Sequence, residues 1–176
     1  MPTYPDVKDL VERNRVQATT FSAKPFLSEL KAAGVTSPSV VVVTCCDIRV
    51  NPYEFFNLEM TDVFHLRNTG GRVGPLINDI IALDYAIGLK EIMIIHHLDC
   101  GTTFYTDEGV REAINTRAPG TVDEKDTFRA KGADAVQSVR EDVELFKRSL
   151  LVRRELAEHT YGFTFDLKSG LVTAVQ

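Results

Sequence analysis

Two runs of apolar, largely β-branched residues in this chain each end in residues that bind metal. Cys45 lies in Thr44-Cys45-Cys46-Asp47-Ile48-Arg49, directly after Val40 to Val43, and Cys100 closes His97-Leu98-Asp99-Cys100, directly after Ile92 to Ile95. Two thiolates and one imidazole form a donor set suited to zinc, a borderline-soft ion without redox chemistry. That set is one ligand short of a closed tetrahedron, as in catalytic zinc sites, where the remaining position takes a water or a substrate. A lone cysteine after a strand is usually a small buried hydrophobe. Here the combination argues for a metal, with Zn2+ as the expected cofactor on Cys45, His97 and Cys100. Cys46 is read as packing, because continued strand alternation turns its side chain away from that of Cys45.

Asp47 and Arg49 share the parity of Cys45, so an extended loop projects all three toward one side. A carboxylate beside a guanidinium stays ionised and holds one orientation, which makes Asp47 an acceptor for a proton or hydrogen bond from metal-bound water. Two thiolates offset the charge of the ion and acidify its water less than an all-histidine set would, so an oriented acceptor compensates. The plainer reading of the pair, a solvated surface salt bridge, would contribute little. Asp47 and Arg49 are accordingly the expected catalytic pair.

These residues need a scaffold. The 176 residues, 44% of them hydrophobic, are enough to bury one sizeable core, so a single domain over 1–176 is expected. The net charge of -5, with 20 basic and 25 acidic residues scattered along the chain, excludes the basic stripe of a nucleic-acid binder. No apolar stretch reaches the roughly 18 to 20 residues of a membrane span. Met1 to Arg15 carries charges and no apolar leader block, and three cysteines suit reduced thiols rather than a disulfide framework. These features together predict a cytoplasmic protein that binds neither nucleic acid nor membrane.

Asp6 is placed to cap a helix beginning at Val7, and a second helix spans Phe26 to Ala33 before Gly34. Strand one is Val40 to Thr44, with no polar alternation, as expected when helices cover both faces of a sheet. A short helix from Pro52 to Leu58, strand two from Val63 to Leu66, and a Gly-rich turn at Asn68-Thr69-Gly70-Gly71 follow. Pro75 opens an apolar helix that ends near Ile87, with Gly88 as its stop, and strand three runs from Ile92 to His96. Arg117 to Gly132 is polar and aperiodic and reads as a long surface loop. Asp134 caps a helix with apolar positions Val136, Val139, Val143, Phe146 and Leu150. Gly162 to Leu167 and Leu171 to Val175 read as a terminal strand pair turning at Lys168-Ser169-Gly170.

Strands alternating with helices predict an α/β fold with a mostly parallel central sheet flanked by helices. Cys45 and His97 share a metal only if strands one and three are neighbours. The expected order is therefore 2-1-3-4 with a C-terminal strand pair, both ligand loops lying at the carboxyl ends of strands where the winding reverses.

Cys45-x-Asp47-x-Arg49 followed by His97-x-x-Cys100-Gly101 resembles the signature pair of the β-class carbonic anhydrases. Arg67-Asn68-Thr69-Gly70-Gly71 stands where that family shows an Arg-Asn-Ala-Gly stretch, and His96-His97-Leu98-Asp99-Cys100-Gly101 resembles its short microbial branch, which includes carbonyl sulfide hydrolases. The resemblance implies zinc on Cys45, His97 and Cys100, a dyad of Asp47 and Arg49, and a homodimer or higher homo-oligomer in which an N-terminal helical arm, here 1–35, packs on a partner subunit. It also implies a possible closed state with Asp47 as fourth ligand. Ile48 in place of a small residue and Thr69 in place of alanine would reshape a pocket assigned to Ile48, Phe55, Phe56, Asn68, Thr69, Gly70 and Phe104, with Tyr105 a further candidate. For the aromatic members, core packing is an equal alternative.

The function expected first is reversible hydration of carbon dioxide to bicarbonate by zinc-bound hydroxide. Hydrolysis of carbonyl sulfide or carbon disulfide to hydrogen sulfide by the same attack is the alternative, and these first residues do not separate the two. A non-catalytic zinc-stabilised dimer, or a redox sensor using Cys45 and Cys46, is more remote. A nucleotide-binding role is disfavoured because Gly70-Gly71 lacks the phosphate-loop lysine and the spaced glycines.

Overall fold

The computed structural model describes residues 4–130, 132 and 134–176. It divides after Thr36 into two compact units. In the first, helix α1 (Val7–Ala18) opens with a reciprocal capping box in which the Asp9 N–H donates to Asp6 at 2.9 Å and the Asp6 N–H donates to Asp9 at 2.9 Å. Helix α2 (Leu27–Ala32) starts where Glu29 accepts the Phe26 N–H at 2.6 Å. Neither helix has a buried residue, and Val7, Leu10 and Val11 of α1 are exposed. Helices this short are marginal in water unless an apolar face is covered.

The second unit is built on five strands, β1 (Val40–Cys45), β2 (Phe64–Asn68), β3 (Glu91–His97), β4 (Thr160–Phe165) and β5 (Val172–Val175). Their order is β2-β1-β3-β4-β5, parallel except for the antiparallel pair β4–β5, as the alternation of strands and helices predicts. Both faces of β1 and β3 are buried, which explains their unbroken apolar runs. Val41, Val43, Ile92 and Ile94 face one core with Ile80 of helix α4 (Ile77–Ile87) and Phe146 of helix α6 (Ala135–Arg148). Val42, Ile95 and Phe165 face the other with Val50. Each fully buried aliphatic or phenyl side chain contributes roughly 1.5–3 kcal/mol.

Helix α6 crosses β4 so closely that a Cβ on Gly162 would lie 2.3 Å from Val139 Cγ1, so glycine is required there. Asp134 caps α6 through the N–H groups of Val136 and Gln137. The helix stops at Ser149, so Leu150 lies past it and is 102% exposed rather than part of the apolar stripe. The helix expected from Pro52 ends at Phe55 as α3 (Pro52–Phe55), where Asn57 turns to a positive φ of 50°. Two helices leave no strong mark in the periodicity: α5 (Asp107–Arg117), capped by Thr106, and α7 (Arg154–Glu158). The long loop therefore starts after Arg117; residue 131 of it lies outside the described residues, as do residues 1–3 of the expected arm.

Candidate metal centre

Strands β1 and β3 are parallel neighbours, with Val43 opposite Ile94, so Cys45 and His97 finish at the same edge of the sheet. Cys100 returns to that edge after Asp99, whose φ of 55° reverses the chain. One ligand atom from each of Cys45, His97 and Cys100 lies within 4.8 Å of the others, and all three residues are buried. The two sulfurs are 3.9 Å apart. Hydrogen bonding of His97 Nδ1 to the Leu98 carbonyl at 2.9 Å assigns the ring proton to that nitrogen. Nε2 is then a lone-pair donor, and it is buried with no hydrogen-bond partner. A buried nitrogen without a hydrogen-bond partner costs free energy unless something fills the position, and a metal ion held by His97, Cys45 and Cys100 would do so. The residues present thus fit a metal ion.

Local donors shape the sulfur pair. Contact with the Cys45 thiol, then the neighbouring His97 ring and the Thr102 hydroxyl 3.1 Å from its sulfur, push the Cys100 thiol down toward the thiolate against the effect of burial. The same sulfur–sulfur contact and burial push the Cys45 thiol up, so the pair releases its two protons one after the other rather than together. The Asp47 N–H, 3.4 Å from the Cys45 sulfur, partly offsets that rise.

Asp47 is gripped by Arg49. Arg49 Nε donates to Oδ1 at 3.0 Å, Nη2 to Oδ2 at 2.8 Å, and the Arg49 backbone N–H to Oδ1 at 2.9 Å. This bidentate fork holds the Asp47 carboxyl down to about 2, so it is ionised at neutral pH. Its Oδ2 stands 3.9 Å from His97 Nε2, at the margin of the donor set. In this arrangement both Asp47 carboxylate oxygens accept from Arg49. Arg49 also reaches across to Asp99, a contact absent from the expected site.

The end of β2 braces Cys45. Arg67 donates from Nε to the Cys45 carbonyl at 3.1 Å and from Nη2 to the carbonyls of Asp47 and Val50, both at 2.7 Å. Behind it lies a buried polar network that the motifs do not reveal. Asp142 of α6, 1% exposed, accepts from the Val73 N–H at 3.0 Å, His96 Nε2 at 3.1 Å and Arg72 Nη2 at 3.2 Å. Arg72 Nη1 donates to Ser138 at 2.6 Å, and the Asn68 amide brackets the Arg72 backbone at 2.7 and 2.8 Å. The available signals were an acid inside the apolar stripe of α6, three residues after Val139, and a second histidine on a buried strand.

The expected pocket residues differ in burial and in the contacts they make. Phe55 stacks on Phe165, centroids 4.2 Å apart, and packs on the second core. Phe56 meets Phe55 edge-on. Ile48 and Phe104 are 96% and 80% exposed, Asn68 is committed to Arg72, Thr69 is exposed and Gly70 is buried. Cys46 is exposed, so it does not pack in a core; its sulfur is 3.9 Å from Thr69 Oγ1.

A mostly parallel sheet that brings two cysteines and a histidine to its carboxyl edge beside an arginine-held aspartate defines an α/β protein with a candidate metal site. The family model described as carbonic anhydrase matches residues 40–172, and the chain belongs to that family. It is 27% identical over 142 residues to β-carbonic anhydrase 1 of Mycobacterium tuberculosis, covering 79% of this chain and 83% of that protein. The crystal structure of carbonic anhydrase from Streptococcus mutans is similar with a TM-score of 0.76 at 27% identity, over 99% of this chain and 100% of that one. A carbon disulfide hydrolase in its apo form shares the fold, with a TM-score of 0.69 at 16% identity over 97% of this chain and 92% of that one.

Proposed function

We propose that this chain is a zinc enzyme catalysing the reversible hydration of carbon dioxide to bicarbonate. The observation that carries the reading is the buried, unpartnered His97 Nε2 clustered with two sulfurs and flanked by a carboxylate that Arg49 holds ionised. Cys45, His97 and Cys100 would hold the zinc, which when bound supplies Lewis acidity to activate a water. Asp47 Oδ2, facing the donor set, takes the hydrogen bond of the attacking water and so aims its lone pair at the substrate carbon. In the reverse direction the same ionised oxygen favours an anion that carries an O–H, as bicarbonate does, and repels one that does not. Arg49 keeps Asp47 in that role, and Arg67 holds the backbone of Cys45 and Asp47 still.

The whole chain is read as one functional domain whose segment 1–35 packs on a partner subunit in a homodimer or larger homo-oligomer; the exposed apolar residues of α1 support this. Ile48 and Thr69 are assigned to the rim of the pocket. Free cysteines at all three positions suit the reducing cytoplasm, and among the described residues no helix is long and apolar enough to cross a membrane. A second reading, hydrolysis of carbonyl sulfide or carbon disulfide, uses the same residues on a substrate of the same linear shape, and the likeness of fold to a carbon disulfide hydrolase favours keeping it.

Metal analysis of the purified protein, stopped-flow carbon dioxide hydration and hydrogen sulfide release from carbonyl sulfide test both readings together. One zinc per chain with fast hydration and negligible sulfide is expected. Fast sulfide release with slow hydration would transfer the assignment to the second reading, and zinc without either activity would refute both.

A further inference from the structure

Asp99 stands between two metal-ligand candidates and adopts a left-handed backbone, with φ 55°. That conformation is unfavourable for a residue with a Cβ, though aspartate and asparagine tolerate it better than most. It also aims two acceptors of Asp99 at one target: Arg49 Nη1 donates to Oδ2 at 2.9 Å and Nη2 donates to the Asp99 carbonyl at 3.0 Å. The opposite edge of the same guanidinium, Nε and Nη2, holds Asp47. Arg49 is thus clamped from both sides and ties the loop after β1 to the loop after β3.

Stability does not explain this arrangement. The side chains of Arg49 and Asp99 are 46% and 66% exposed, and an ion pair that open to solvent contributes almost nothing to folding. What the second carboxylate does is remove the freedom of a long side chain that would otherwise sample several rotamers around Asp47.

We propose that Asp99 is a positioning residue for the reaction: it fixes the Arg49 guanidinium, and through it the orientation of the Asp47 carboxylate toward the nucleophile. The inference rests on the hydration reading above. Loss of Asp99 frees Arg49 to leave Asp47, and the aspartate then samples orientations that do not face the substrate, lowering kcat with little change in KM.

The test compares wild type, Asp99→Gly and Asp99→Asn as zinc-loaded proteins. Glycine accepts the positive φ without strain, so Asp99→Gly is expected to melt no lower than wild type and to retain its zinc. Its kcat should fall about 5- to 10-fold with KM changing less than about 2-fold. Asparagine keeps an acceptor and tolerates the left-handed conformation, so Asp99→Asn should recover most of the rate. In metal-free protein the Arg49 Nε–H, assigned through its disappearance in Arg49→Lys, should exchange with solvent faster in Asp99→Gly. Wild-type kcat and unchanged exchange in Asp99→Gly would overturn the proposal, as would a rate loss that merely follows lost zinc. A wild type without hydration activity would sink the functional reading alone, since the exchange measurement still reports whether Asp99 holds Arg49.

Discussion

Replacing Gly71 with alanine tests whether the loop after β2 sets the position of a metal ligand. Gly71 has a φ of 66°, and a Cβ built on it would lie 2.8 Å from the Cys45 nitrogen, 2.9 Å from the Thr44 carbonyl carbon and 3.2 Å from the Ile95 carbonyl oxygen. All three are backbone atoms of the two central strands, which cannot rotate aside as a side chain can. The left-handed conformation costs alanine about 1–2 kcal/mol. Forcing a methyl group into a packed site adds about 1–3 kcal/mol. The expected destabilisation is therefore about 2–5 kcal/mol, a fall of roughly 5–15 °C in melting temperature for a protein of this size. Because one of the crowded atoms is the backbone nitrogen of Cys45 and another lies in the preceding residue, metal affinity should fall as well. Thermal melts and zinc competition against a chromophoric chelator read the two effects. Gly101→Ala is the control: its Cβ would meet nothing within 4 Å, so it should change little. A Gly71→Ala protein with the wild-type melting temperature and zinc affinity would refute the reasoning.

Three further outcomes are expected. Asp142→Ala leaves Arg72, His96 and the Val73 N–H without their shared acceptor and should cost about 3–5 kcal/mol in urea unfolding; a loss under about 1 kcal/mol would show that the network carries no net stability. Burial pushes the imidazole of His65 down from 6.5 to about 4, so the folded state favours the neutral ring. Its stabilisation is complete above pH 6.5 and is lost as pH falls toward 4, by at most about 3 kcal/mol, and His65→Gln should flatten urea midpoints measured across that interval. Arg49→Ala should lower kcat by about 10- to 100-fold. In metal-free protein it should also remove the part of acid destabilisation that wild type shows between pH 3.8 and about 2, where Asp47 protonates; identical acid unfolding curves would contradict the fork geometry.

Much of this was legible in order along the chain. Cys45, His97 and Cys100 are placed by the ends of two apolar runs, and the requirement that they meet already orders three strands. Caps are equally local: Asp6, Asp134 and the stop at Gly88, with φ 71°, need only a few neighbouring residues. Helices α5 and α7 escaped because one is mostly polar, with no buried residue, and the other is five residues long, so neither carries a full apolar period.

The amino-acid sequence by itself determined the donor set, the adjacent Asp47 and Arg49 and the parallel sheet, because ligand chemistry and hydrophobic period are written in residue type and spacing. Tertiary structure alone decided how tightly they are held: Asp99 on Arg49, Asp142 on Arg72 and His96, the Thr102 hydroxyl on the Cys100 sulfur, the exposure of Leu150 and Cys46. Apart from Thr102, the partners in these contacts are brought together by chain reversal and helix docking rather than by any short repeat. A hydrogen bond formed only on folding leaves no periodic trace in the chain that makes it.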